Sequence, residues 1–373
     1  MKAQTAQPAE EATPDLLYSE AEDDLRAAVR ALLADRADAA STLARVESDV
    51  PCDPELWRAL GAGMDLAGLL VPEELGGQGA SHREAAVVLE ETGRAVAPVP
   101  FLTSSVIATE TLMALGPEKG TQVAALLGEL ASGHRTAALV VPFAAGPRSV
   151  RLLVTPAGTV SAVADAATAD VLIVPTEQGL YAVDAADATI APLIPLDLTR
   201  PLATVTLDGA SGTLLAGGDA APGAVRRGLL AGAGLLASEQ LGVAEWCLAE
   251  TVAYTRERKQ FNRPVGSFQA LKHRMAQLWL EVVSARAAAR NAADALASGS
   301  PEVPLAVALA QAYCARVAVR AAEECVQLHG GIGMTWEHPA HLYLKRAKSA
   351  QIALGSAGEH RSAIAELADL RAP

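Results

Sequence analysis

The stretch Tyr254-Thr-Arg-Glu-Arg-Lys-Gln-Phe-Asn-Arg-Pro-Val-Gly-Ser-Phe-Gln269 reads as the basic end of one helix, a tight turn and the start of the next. Arg256, Arg258 and Lys259 stand where the partial negative charge of a helix C-terminus favours cations. Asn262, Pro264 and Gly266 break the helical pattern, and Ser267 is placed to cap a helix beginning near Phe268. Such a junction holds a guanidinium (Arg258), an aromatic ring (Phe261) and an amide (Gln269) in fixed relation. That set suits a diphosphate joined to a flat heterocycle, because Arg grips phosphate oxygens through parallel hydrogen bonds while aromatic surface packs a ring. The same residues also read as a solvated basic elbow between two helices.

A second stretch, Cys325-Val-Gln-Leu-His-Gly-Gly-Ile-Gly-Met-Thr-Trp-Glu-His-Pro339, lies far downstream. Together the two resemble the paired signatures of the acyl-CoA dehydrogenase family, FAD enzymes that oxidise acyl-CoA thioesters. Both occur in the family's order and separation, and weaker similarity extends along nearly the whole chain. The resemblance implies a helical, then β, then helical architecture.

Periodicity suggests the same order independently. From 223 onward the pattern is helical, over roughly 228–259, 267–297, 305–328 and 358–370, and Leu271, Met275, Leu278 and Val282 fall on one face, as in a four-helix bundle. Between 135 and 222 the period shortens. The runs 136–141, 150–155, 171–175, 179–183 and 203–207 are apolar or β-branched, are punctuated by Gly, Pro and Asp, and read as strands of a small middle β domain. Over 19–134, Leu25, Val29, Leu32 and Leu33 recur at helical spacing. The expected fold class is therefore α+β, mainly helical: an N-terminal helical domain (19–134), a β domain (135–222) and a C-terminal bundle (223–373), behind a disordered tail (1–18) rich in Ala, Glu, Gln and Pro.

The 373 residues suffice for two or three domains, and the formal charge of -13 argues against nonspecific nucleic-acid binding, which needs Lys and Arg against phosphates. No export signal is visible, and the best membrane candidate, 228–236, is too short to cross a bilayer. Cys52, Cys247, Cys314 and Cys325 form no CxxC pair and read as reduced core thiols of a cytoplasmic protein. No cluster has metal-ligand spacing, so no metal is expected. The glycine-rich run 69–79 lacks the strand before it and the lysine after it that a phosphate loop requires, and with Glu90-Glu-Thr-Gly-Arg94 it reads as scaffold.

Dehydrogenating an acyl thioester requires a carboxylate of raised pKa to take the α proton, and donors to the thioester oxygen. The resemblance implies a Glu in a segment that here reads Ile352-Ala-Leu-Gly-Ser356, where Leu354 occupies its position. An alternative position on the helix leading into the elbow falls at Gly232. Neither side chain can take a proton, so the catalytic base is unassigned. Glu239, about two turns on, is the remaining candidate, read first as an ion-paired bundle carboxylate. Glu337 and Glu359 read as structural, and His329 as a packing or hydrogen-bonding residue. The turn that should hold the flavin ring is replaced by Val140-Val-Pro-Phe-Ala-Ala-Gly-Pro147.

What remains is the set that the resemblance assigns to the FAD nucleotide of a neighbouring subunit: Arg258 for the diphosphate, Gln260, Phe261, Phe268 and Gln269 around it, and Gln327 with Gly330 and Gly331. Asn262 stands where the family has Gly, and Asn tolerates left-handed backbone. The resulting expectation is one subunit of a heterotetrameric FAD-dependent acyl-CoA dehydrogenase, lending its elbow to a related partner that carries the base. A bulky or sterol-derived acyl-CoA is the implied substrate class, and an electron-transfer flavoprotein the implied acceptor. The rival readings are a homomeric dehydrogenase using Glu239, and a noncatalytic scaffold subunit.

Overall fold

The computed structural model describes residues 16–48, 52–118, 120–209 and 212–370. Helix α1 (Glu20–Arg36) opens on a capping box, in which the Ser19 side chain accepts from the Glu22 backbone and Glu22 accepts from Ser19 N. Asp38 and Asp53 cap α2 (Ala39–Val46) and α3 (Pro54–Gly61), and a second box, Ser81 with Glu84, starts α4 (His82–Arg94). A fully buried π-helical segment, Phe101–Ala108, runs into α5 (Thr109–Met113), and α6 (Gln122–Ala131) completes the helical part.

Most of the expected tail, 1–15, lies outside the described residues, but residues 16–18 pack against the body. Tyr18 donates its hydroxyl to Glu90 and lies under the guanidiniums of Arg26 and Arg290 at 4.3 and 3.7 Å, while Arg290 also bonds Leu16 O. Glu90 and Glu91, buried on α4, accept ion pairs from Arg26 and Arg30 on α1, both at 2.6 Å. Their scaffold role thus has a physical basis in docking α1 onto α4.

The middle region holds two sheets. Strands β1 (Ala137–Leu139), β3 (Val171–Pro175), β4 (Gly179–Asp184) and β7 (Thr213–Gly217) form one in the order β1-β3-β4-β7, with β1 parallel to β3 and the others antiparallel. Strands β2 (Gly158–Ala164), β6 (Leu202–Leu207) and β5 (Thr189–Pro192) form the antiparallel second, β2-β6-β5. Ala138, Val163, Leu172, Val174, Val183 and Val205 fill a shared core. The strand expected over 150–155 is absent. That segment makes only isolated bridges, Leu153 to Thr176 and Thr155 to Ala157, while β2, with only Val163 and Ala164 buried, and β5, with no buried residue, carry too little apolar alternation to be recognised.

The C-terminal part contains α7 (Ala221–Glu257), a short hairpin β8 (Lys259–Gln260) and β9 (Arg263–Pro264), then α8 (Gln269–Ser298), α9 (Val303–His329), α10 (Ala340–Ile352) and α11 (Ala357–Leu367). Helix α10 is a fifth helix beyond the four expected. Its buried face includes Ala340, Leu342, Tyr343, Arg346, Ala347 and Ala350, a stripe of mostly small residues that the buried Arg346 interrupts. Contrary to the expectation from 228–236, one helix among the described residues is long and apolar enough to cross a bilayer. It is α9, but 67% of its most apolar window is buried inside the fold, as befits a core helix.

Helices α4 and α7 approach closely because each offers a glycine. A Cβ on Gly93 would stand 2.2 Å from Glu239 O, and one on Gly242 would stand 1.9 Å from Glu90 O. Any side chain there would force the helices apart.

Candidate functional site

Helix α7 ends at Glu257, and Arg258 turns the chain into extended backbone (φ -65°, ψ 122°). Lys259 pairs with Pro264 and Gln260 with Arg263, so the hairpin turn is Phe261-Asn262, with φ of 55° and 59°. Two consecutive positive φ values make a type I′ turn, the two-residue connection that matches strand twist. Asn suits it. Phe does not, and a left-handed non-glycine residue costs about 1–2 kcal/mol. Phe261 is nevertheless 85% exposed, edge-on to Phe268 at 6.0 Å, and Arg263 stacks over Phe268 at 3.8 Å.

Ser267 does not cap the following helix. It lies in a short 3-10 turn, Val265–Ser267, and α8 begins after Phe268 with no side-chain cap. Leu271 N–H donates to Phe268 O at 3.1 Å, so it is the N–H groups of Gln269 and Ala270 that no side chain caps on the elbow that carries Arg258, an arrangement favourable to an anion. Arg258 itself is exposed and makes no ion pair among the described residues.

The glycine pair emerges at the same end of the bundle. Tyr254, one turn before Arg258, stacks on His329 at 4.3 Å, and Gly330 and Gly331 follow His329 directly. Gly330 takes φ 64°, ψ -136°, and a Cβ on either glycine would meet nothing within 4 Å. Of the eight residues expected at the nucleotide, Phe268 is half-buried and Arg258, Gln260, Phe261, Gln269, Gln327, Gly330 and Gly331 are exposed. These residues can hold a diphosphate and a flat base, but they face outward from their own chain.

The other half of a flavoenzyme site is closed. Leu354 is 1% exposed with φ 52°, and its N–H donates to Phe143 O at 2.8 Å, while Gly355 N donates to Ala144 O at 3.2 Å. The segment in place of a ring cradle is thus bonded, main chain to main chain, to the segment in place of the base. A Cβ on Gly232 would stand 2.5 Å from Ile107 Cγ1 on the π-helical segment. The space left between Thr103, Ile107, Phe143, Leu229 and Leu354 is about 20 Å³. Ligand pockets for drug-sized molecules occupy about 300–1,000 Å³, so neither a flavin ring nor an acyl thioester fits here. Sequence reasoning missed Ile107, Phe143 and Leu229 as the plug, since they are ordinary apolar residues far apart in the chain.

Glu239 is committed elsewhere. It is 2% exposed and receives Arg200 at 2.5 Å and Arg346 at 3.1 Å, and Arg346 also reaches Asp197 at 2.6 Å. Burial alone would push its carboxyl up, but the two guanidiniums outweigh it and bring the pKa down to about 2. A carboxylate with so little proton affinity and no free face is a poor base, and the alternative that the sequence left open for Glu239 has no support in its geometry.

One cluster that sequence spacing did not reveal also appears. Glu250 of α7, His329 at the end of α9 and His338 before α10 bring ligating atoms within 4.8 Å of one another.

Residues 19–134 match the family model described as acyl-CoA dehydrogenase, N-terminal domain, and residues 223–368 that described as acyl-CoA dehydrogenase, C-terminal domain. The acyl-CoA dehydrogenase IpdE2 of Mycolicibacterium smegmatis is 38% identical over 90% of this chain and 95% of its own length. Among solved structures, the ChsE4-ChsE5 complex of Mycobacterium tuberculosis superposes with a TM-score of 0.83 at 28% identity, covering 96% of this chain and 100% of the matched one. The Tcur3481-Tcur3483 steroid ACAD, a G363A variant, superposes at 0.81 with 28% identity over 94% of this chain and 98% of its own. Butyryl-CoA dehydrogenase of Megasphaera elsdenii shares the fold at a TM-score of 0.85 and 21% identity. On this evidence the chain belongs to the acyl-CoA dehydrogenase family.

Proposed function

We propose that this chain is the nucleotide-holding subunit of a heteromeric acyl-CoA dehydrogenase, and that a related partner supplies the ring pocket and the base for α,β-dehydrogenation of an acyl-CoA thioester. The observation that carries this reading is the 20 Å³ cavity, closed by Leu354, Ile107 and Phe143 where the chain would otherwise need space and a carboxylate. FAD supplies the redox chemistry when bound. This chain's part is to grip and orient it: Arg258 and the uncapped start of α8 take the diphosphate charge, Phe261 and Phe268 exclude water from it, and the open backbone at Gly330 and Gly331 admits the nucleotide beside Gln327.

Three further observations favour a partner. Phe261 holds a strained backbone while exposing its ring, which isolated stability alone does not select. On α8, Trp279 and Leu280 are 56% and 53% exposed beside an open groove of about 520 Å³ shared with α7. Large apolar side chains in such a setting suit burial against another chain. The two solved relatives at 28% identity carry paired names, ChsE4-ChsE5 and Tcur3481-Tcur3483, the second a steroid ACAD. That likeness supports an assembly of unlike chains and a bulky or sterol-derived acyl group; the heterotetramer and an electron-transfer flavoprotein as acceptor rest on the family resemblance of the sequence.

The homomeric reading would need a base, and Glu239 is held by two arginines. The scaffold reading would make the elbow dispensable. Visible absorbance tests both: the chain purified alone should hold little or no flavin, where a homomeric enzyme would hold it stoichiometrically, and in the assembled complex Arg258→Ala should lower bound flavin several-fold with assembly intact, where unchanged flavin would favour a scaffold.

A further inference from the structure

The end of the bundle that presents the glycine pair contains a set of groups that flavin binding does not use. His329 is 2% exposed, and its Nδ1–H donates to Cys325 O at 2.7 Å. That bond leaves the lone pair on Nε2, which is buried and without a hydrogen-bond partner. A carbonyl holding one ring nitrogen so that the other points a lone pair into a cluster is the orientation found in metal-ligating histidines. Glu250 Oε1 lies 4.0 Å from His329 Nε2 and 3.9 Å from His338 Nε2.

We propose that Glu250, His329 and His338 form a binding site for one divalent transition cation of the zinc class. Two imidazoles and one carboxylate with a fourth position open to water are a ligand set that zinc accepts. With metal–ligand bonds of about 2.0–2.1 Å, tetrahedral ligand atoms sit about 3.3 Å apart, so the two carboxylate–imidazole separations must close by roughly 0.6 Å and the widest of the three by up to about 1.5 Å. His329 is locked by its neighbours, whereas the side chains of Glu250 and His338 are 39% and 14% exposed and supply the movement. His338 Nδ1 accepts from Ala340 N at 3.2 Å, which keeps the ring proton on Nε2. Loading therefore moves the single ring proton from Nε2 to Nδ1, with no net release, and gives up this long hydrogen bond for a metal–nitrogen bond. The nearby imidazole of His341 is not part of the set: its Nε2 bonds Trp336 O at 3.3 Å and its ring stacks on Trp336 at 4.2 Å.

The cation would tie three elements together, namely α7 through Glu250, the last residue of α9 through His329, and the loop before α10 through His338. Its place beside Gly330 makes it a clamp on the end that offers the glycine pair, and it requires neither flavin nor partner.

The test uses the full-length protein, stripped with a chelator and then dialysed against Zn²⁺. Metal analysis should find one Zn²⁺ per chain, and the thermal midpoint should rise with Zn²⁺ concentration, as for any ligand that binds only the folded state. Glu250→Gln and His338→Gln, both at part-exposed positions, should each lower Zn²⁺ affinity at least tenfold, while His273→Gln, at an exposed position on α8, should retain it. Circular dichroism of the metal-free variants shows that a loss is not unfolding. No Zn²⁺ retained by the wild type, or equal loading in Glu250→Gln and His338→Gln, would overturn the site.

Discussion

Leu354 Cδ1 lies 3.3 Å from the point where a Cβ on Gly232 would stand. These are the two positions at which the family resemblance places a catalytic carboxylate, and the fold brings them to one spot although they lie on separate elements. With Leu at one, Gly at the other and Ile107 pressed between, the spot is part of the core.

Because the core is tight there, Gly232 is replaceable only at a cost. Its Cβ would meet Ile107 Cγ1 at 2.5 Å and Cδ1 at 2.9 Å. Gly232→Ala is expected to destabilise the chain by about 1–3 kcal/mol through overpacking, despite alanine's better helix propensity. Urea denaturation checks this, and a stabilised variant would show that the cavity is more open than described.

The ion pairs of Glu239 make a prediction with a definite pH window. Its folded-state pKa of about 2 lies below the ordinary 4.5, so its contribution is present above about 4.5 and is lost as pH falls from 4.5 through about 2. At neutral pH, Glu239→Gln leaves Arg200 and Arg346 facing each other without their shared counter-charge and should cost about 3–5 kcal/mol. Thermal midpoints of wild type and variant should converge as pH drops through that window. Equal stability at pH 7 would remove the structural role assigned here.

The elbow should behave in the opposite way, tolerant in the isolated chain and sensitive in the complex. Arg258 is exposed and unpaired among the described residues, so Arg258→Ala should change stability by less than about 0.5 kcal/mol. Phe261→Gly removes a left-handed side chain and should stabilise the isolated chain by up to about 1 kcal/mol. Both should reduce flavin retained by the assembled complex. Stability measured beside flavin content separates an elbow made for a ligand from one made for the fold.

The parts legible in sequence were those governed by local rules. Asn262, Pro264 and Gly266 marked a turn because Asn tolerates left-handed backbone and Pro ends a pattern, and the hairpin is there, though Ser267 was misread as a cap. The change of period marked the β region and its strands β1, β3, β4 and β6, but not β2, β5 and β7: β2 and β5 pair well while burying little, and pairing leaves no trace in hydropathy. Helix α10 escaped because Arg346, 1% exposed among three acidic and hydroxyl partners, breaks an apolar stripe from within. At the site, the absence of a base at Leu354 and Gly232 was legible residue by residue. That Ile107 and Phe143 fill the space was not, because packing between distant segments has no sequence period. Glu250 and His338 met His329 for the same reason unseen.

The central claim is that this chain holds one end of a flavin and cannot house the other. Flavin content by visible absorbance, measured on the chain purified alone and again after co-expression with a related subunit, tests it most directly. The expected result is little or no FAD in the chain alone and one FAD per pair of unlike chains in the mixture. Stoichiometric FAD in the chain alone, with turnover of an acyl-CoA, would contradict it.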